Sequence, residues 1–266
     1  MSVLKNHRRL SKYEFIRVYE DFYNFSSIQL SKSSARRYQY VIKPFYKALN
    51  KTFDDIMSLN SLMFAKKNNI REKKIITVKA AINDLYELNK CIVVYCNIMP
   101  KTFAQMCNWC SKLRREMELL HKMLDKPYGR TEDIIVVNYD IVKEQRFLSV
   151  ICELHKILHG KMIKVPKQFA NAESQLVIQL IDTAFISVML ANSKIPQDKA
   201  ALHRRTNRLK KALTCLDEIE IPLLSIFAIQ NYSNKVQMKL AGLLVEEKKL
   251  LNGVLESDRK RFKDLK

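Results

Sequence analysis

Stretches of this chain repeat one another at a distance that barely changes along its length. "FDDIMSLN" at 53–60 lies over "FISVMLAN" at 185–192, an offset of 132, and "LRREMELLHKML" at 113–124 lies over "LVEEKKLLNGVL" at 244–255, an offset of 131. "MPKTFAQM" precedes "SNKVQMK" by about 134 residues. Offsets that agree to within a few residues over a whole half argue for internal duplication. Whatever one half folds into, the other is expected to fold into as well.

The stretch 101–124 says what that fold is. Phe103, Met106, Cys110, Leu113, Met117, Leu120 and Leu124 fall at steps of three and four, a single apolar seam along one helix face, with Trp109 beside it. Only 4 Gly and 6 Pro interrupt the 266 residues, and the one β-rich run, "IIVVNY", is short. A capping box of Ser11 and Glu14 opens a helix over about 13–31. A second covers about 34–65, with a kink at Pro44. A third covers about 72–98, and Pro100 releases the fourth, from Lys101 to about Leu124. "DKPYGRTEDIIVVN", 125–138, reads as a linker. Helices then follow over about 139–163, from Pro166 to near Asn192, over 199–231 with a kink at Pro222, and over 232–255. Residues 1–12 form a basic arm, and 256–266, "SDRKRFKDLK", a charged tail expected to fray. The predicted fold class is all-α, with two tandem antiparallel four-helix bundles, 13–124 and 139–255.

Charge narrows the partner. Lys and Arg number 47 against 27 acids, a net charge of +20. Residues 1–130 hold 25 basic and 11 acidic side chains, and 131–266 hold 22 and 16. Such an excess gathers polyanions and points to nucleic acid, with the first half dominant. No apolar run approaches a membrane span of ~18 residues, and "MSVLKNHRRLSK" has no signal-peptide apolar core, so a cytoplasmic protein without a membrane partner is expected. The predicted nucleic-acid-binding residues are Lys5, Arg8, Arg9 and Lys12 in the arm, and Lys32, Arg36 and Arg37 before the second helix. Lys66, Lys67, Arg71, Lys73 and Lys74 lead into the third helix, Arg114 and Arg115 form a surface pair, and Arg204, Arg205, Arg208, Lys210 and Lys211 line the second half. Their contacts are expected mostly at phosphates, since no aromatic platform of the RNP type is visible.

Candidate chemistry is sparse. Arg115 and His121 have the Arg-x4–6-His spacing of HEPN-like helical ribonucleases, in which Arg steadies the scissile phosphate and His helps activate the 2′-hydroxyl. Here the pair sits near the end of its helix, and six positions turn it about 240° around the axis, onto different faces. The duplicate has Glu246 and Asn252 at the matching places. No P-loop, G-x-S-x-G, H-E-x-x-H or paired-Asp polymerase motif occurs. Cys107 and Cys110 form a C-x-x-C inside the helical seam, which suits buried thiols better than zinc. His155 and His159, at i and i+4, could seed a metal site, but no metal-binding carboxylate or Cys motif accompanies them in the sequence. No catalytic residue, metal or cofactor is predicted.

The second half resembles the accessory variability determinant (Avd) proteins of diversity-generating retroelements, relatives of the ribosomal intervening-sequence four-helix-bundle proteins. That family opens its second helix on Pro-Lys, closes it on Ala-Asn, and carries Glu-Ile-Gly-Arg-Met-Leu-Gly-Gly-Trp-Leu in its last helix. Pro166 and Lys167, then Ala191 and Asn192, match the first two. In "EEKKLLNGVL", Glu246, Lys249, Leu251 and Gly253 stand at the family's Glu, Arg, Leu and second Gly. Lys248 replaces the first Gly, Val254 the Trp, and Ala170 a frequent Arg. The opening "MSVLKNHRRLSKYEF" is similar to Avd-like proteins found beside retroelement reverse transcriptases. The resemblance implies a ring-forming, non-enzymatic basic bundle. Its partners would be the reverse transcriptase, template RNA and cDNA, and its role to support mutagenic cDNA synthesis and retrohoming. The readings left beside it are the ribonuclease and a ribosome-associated RNA-binding bundle.

Overall fold

The computed structural model describes residues 13–32, 38–63, 70–99, 103–126, 128–129, 133–165, 170–230 and 232–265. Among these residues the chain is all-α, with no strand. It divides into two compact units, residues 1–96 with 101–136, and residues 97–100 with 137–266.

The first unit is built from α1 (Glu14–Ser31), α2 (Lys43–Met63), most of α3 (Ile70–Ile98) and α4 (Phe103–His121). The seam of α4 turns inward: Met106, Cys110, Leu113, Met117 and Leu120 are buried, and only Phe103, in the first turn, is exposed. Trp109 is buried with them. Its indole N–H donates to Ser26 Oγ at 2.9 Å, and its ring meets Tyr95 edge-on at 5.7 Å. Tyr19, on α1, is fully buried and donates to Leu49 O on α2 at 2.7 Å.

Local details depart from the sequence reading. α1 starts at Glu14 behind Tyr13, which makes no side-chain cap; Ser11 lies outside the described residues. Pro44 is the second residue of α2, and the backbone widens into a π turn over Tyr38–Ile42 just before it. A proline has no N–H to give the carbonyl four residues back, so the helix loosens upstream of it.

The expected linker is not free chain. Ile134 and Ile135 are buried in the first unit. The Asn89 carboxamide grips the Ile135 backbone from both sides, Nδ2 donating to Ile135 O at 3.0 Å and Oδ1 accepting from Ile135 N at 2.7 Å. Arg114 donates to Ile134 O at 3.1 Å. A polar side chain thus satisfies backbone groups that lie outside any helix or strand. Gly129 takes the chain toward this strap at φ +70°, where a Cβ would meet the Tyr86 hydroxyl at 2.5 Å.

The second unit contains α5 (Tyr139–Glu144), α6 (Arg146–Met162), α7 (Gln175–Asn192), α8 (Lys199–Glu218), α9 (Glu220–Gln230) and α10 (Asn234–Arg261). α7 packs against both α6 and α8. Residues 172–192 have the length and hydropathy (1.6) of a membrane span, a run the sequence reading passed over, yet 56% of it is buried inside the protein. Three boundaries need correction. The helix expected over 139–163 breaks at Gln145. The one expected over 199–231 breaks at Ile219, ahead of Pro222, which then sits in the first turn of α9, where a missing N–H costs no bond. The last helix does not stop at 255. It runs to Arg261, because Leu255 and Asp258 are both buried.

Candidate functional site

The basic residues separate into two kinds. Lys5, Arg8, Arg9, Lys12, Arg36, Arg37, Lys66 and Lys67 lie outside the described residues. Of the rest, Lys32, Lys73, Arg204, Lys210 and Lys211 project into solvent, and Lys74 is half-buried. The other arginines are engaged with the protein itself. Arg71 pairs with Asp125 at 2.7 Å across an exposed surface. Arg114 holds the strap. Arg208 donates to Leu190 O at 3.0 Å. Arg205 Nε meets Asp258 Oδ2 at 2.6 Å and its Nη1 donates to Ala191 O at 2.5 Å. With side chains 14% and 8% exposed, Arg205 and Asp258 form a mostly buried ion pair that ties α8 to α10. The exposed cations can meet phosphates freely; Arg205 can do so only by giving up its fold contacts.

Beside that ion pair opens a cavity of about 460 Å³, lined among others by Phe147, Lys194, Ile195, Arg261 and Phe262. The Arg261 guanidinium lies 5.4 Å from the Phe262 ring centroid. Cations next to half-buried phenyl rings offer both partners that an unstacked nucleotide takes, a π face and a phosphate counter-charge.

Arg115 and His121 make separate local contacts. Arg115 donates to Glu14 Oε1 at 2.5 Å and stands 3.7 Å from Glu118. This hydrogen bond from Arg115, with its charge, holds the Glu14 carboxyl below the usual range. His121 Nε2 lies 2.6 Å from the Tyr128 carbonyl and donates to it, closing the chain back onto the end of α4.

The histidine pair of the second unit has a partner that the sequence reading missed. His155 and His159, on successive turns of α6, are both fully buried. Asp182, midway along α7, places a single oxygen 2.9 Å from His155 Nε2 and 2.6 Å from His159 Nε2. Asn97 Nδ2 stands 2.9 Å from His155 Nδ1 and 3.3 Å from Cys152 O. The amide thus donates to Nδ1, which leaves the proton of neutral His155 on Nε2, facing Asp182. Burial, then the neighbouring His159, lowers the His155 pKa to about 4. Burial alone would raise Asp182, but His159 and the hydrogen bonds from both imidazoles outweigh it and hold the carboxyl at about 2. His159 Nδ1 and Asn97 Oδ1 are buried with no hydrogen-bond partner. The readable signal was Asp182 itself, one acid inside the apolar run "VIQLIDTAFISVML", which has to find a donor.

Two further acids are buried without partners. Glu116 and Glu247 are fully enclosed, and none of their four carboxyl oxygens has a hydrogen bond. Burial pushes Glu247 up to about 9 and Glu116 well above its ordinary value. Burial raises the thiols of Cys110 and Cys152 each to about 12, so neither is a ready thiolate. Comparison with known proteins found no matching family model, no matching curated protein and no matching solved structure.

Proposed function

We propose that this chain is a non-enzymatic, RNA-binding accessory protein of a diversity-generating retroelement. In this reading it is a tandem Avd-like helical protein that holds template RNA and cDNA against a reverse transcriptase in the cytoplasm and so supports mutagenic retrohoming. The observation that carries the reading is a +20 charge on an all-α chain whose motifs recur in order in each half. Duplication also gains support from the two buried acids. Glu116 and Glu247 stand 131 residues apart, the same offset as the aligned segments around them. Both are fully buried without a hydrogen-bond partner, and burial raises both above their ordinary value. Self-assembly is supported by the outward face of α10, where Met238 (74% exposed) and Val245 (64%) flank Gly242, whose missing side chain leaves open space.

The test is an RNA titration at several salt concentrations. Affinity for structured RNA falls with salt at a slope of about −0.7 to −0.9 per phosphate neutralised. Replacing Arg36, Arg37, Lys73 and Lys74 together by Ala flattens that slope by a few units for every RNA sequence. Replacing Arg204, Lys210 and Lys211 flattens it less, since the second half is nearer neutral. Arg205 and Arg208 are left alone, because their loss would report on folding. An unchanged slope in the first variant removes the basic face from the reading. The same samples are assayed for cleavage: intact RNA with both the native chain and His121→Ala fits the accessory role, and metal-independent cleavage lost in His121→Ala supports the ribonuclease instead.

A further inference from the structure

We propose that His155, His159 and Asp182 form a binding site for a zinc-class divalent cation, clipping α6 to α7 within the second unit. The site is independent of any contact with RNA. Its donors are two imidazole nitrogens one helical turn apart and a carboxylate from the facing helix, all within 4.8 Å of one another. Two Nε2 atoms at i and i+4 suit a small tetrahedral ion, and imidazole with carboxylate suits zinc, cobalt or nickel rather than calcium or magnesium.

The spacing needs a small adjustment. Ligands 2.0–2.1 Å from a tetrahedral ion stand ~3.3 Å apart, whereas the carboxylate oxygen and its two nitrogens are 2.9 and 2.6 Å apart because protons lie between them. Replacing two N–H···O contacts by one ion moves the three groups apart by a few tenths of an ångström to about 0.7 Å, a side-chain movement. The proton balance is a change of tautomer: each neutral imidazole loses its proton from Nε2 and takes one up from solvent at Nδ1, with no net release.

Metal-bound histidines hand their other N–H to an acceptor. Asn97 stands 2.9 Å from Nδ1 of His155, with its carboxamide oxygen unpartnered. Turning that amide over presents the oxygen to Nδ1–H, at the cost of the long 3.3 Å contact with Cys152 O. Access is through the acid: both imidazoles are sealed, while a quarter of the Asp182 side chain reaches solvent. Water would complete a tetrahedral set beside the three protein donors.

The test uses the full chain, stripped with a chelator and dialysed at pH 7.5. Zn2+ is titrated by calorimetry, and bound metal is counted by elemental analysis. One equivalent binds and raises Tm by several degrees. Co2+ gives the visible absorption of a tetrahedral ion with nitrogen and oxygen ligands, without the intense band of a cobalt–thiolate bond. His159→Gln and Asp182→Asn, near in shape, each lower the affinity at least tenfold, whereas Cys107→Ser with Cys110→Ser leaves it unchanged. Helicity is checked for each variant. If Asp182→Asn does not fold, His159→Gln and the cobalt spectrum of the native chain still decide. No zinc bound at 100 µM, a thiolate band, or full binding by His159→Gln would overturn the proposal and leave the cluster a hydrogen-bonded core contact.

Discussion

Asp258→Ala lowers the unfolding free energy of the chain by about 3 kcal/mol, within the range for removing one member of a buried pair. The cause is what it leaves behind. Arg205 is 14% exposed, and its guanidinium would keep only the Ala191 carbonyl. Replacing both members with apolar residues, Arg205→Met with Asp258→Leu, recovers most of the loss, because no charge then remains buried. The measurement is urea unfolding followed by circular dichroism, with limited proteolysis to locate the damage. Cleavage near the end of α10 increases in the single variant. An unchanged midpoint would mean that the last turns of α10 do not dock.

Glu247→Gln has the opposite sign: it stabilises, and the gain grows with pH. The native carboxyl has its pKa raised from 4.5 to about 9 by burial. Between these values the folded chain holds a proton that the unfolded chain releases. Stability is therefore full below about pH 4.5 and falls, by up to about 1.4 kcal/mol per pH unit, as pH rises toward 9. Glutamine cannot ionise, so the variant lacks this slope. At pH 8 it should exceed the native chain by about 2 kcal/mol or more, and below about pH 4 the two should converge. Glu116→Gln follows the same direction. Parallel pH profiles for native and variant chains would show that Glu247 is ionised and paired in solution.

What the sequence revealed followed period. The α4 seam was legible because six of its seven apolar side chains kept step with one helix face, and packing buried all of these but Phe103 in the first turn; the seventh, Leu124, lies past the helix end and is half-buried. Features that depend on one distant partner were not legible. "SDRKRFK" reads as a solvated tail until Asp258 meets Arg205, 53 residues away. "IIVVN" reads as a strand or a spacer until Asn89 supplies the backbone partners that a sheet would have given. His155 and His159 read as an isolated pair because their acid lies on the next helix. The basic clusters were visible as charge, but a count of arginines cannot separate one that waits for phosphate from one that holds a carbonyl.

The Asn89 clasp also decides where this protein can be cut. The first unit extends to Val136, twelve residues beyond the point at which the helical pattern of the first half gives out, while residues 97–100 belong with the second unit. A fragment ended at Leu124 would strip the Asn89 amide and the Arg114 guanidinium of their backbone partners and open the groove that Ile134 and Ile135 fill. A fragment carried through Val136 takes its own seal with it. Expression boundaries, tags and fusions placed between 125 and 136 would therefore damage the first unit while seeming to fall in spare chain.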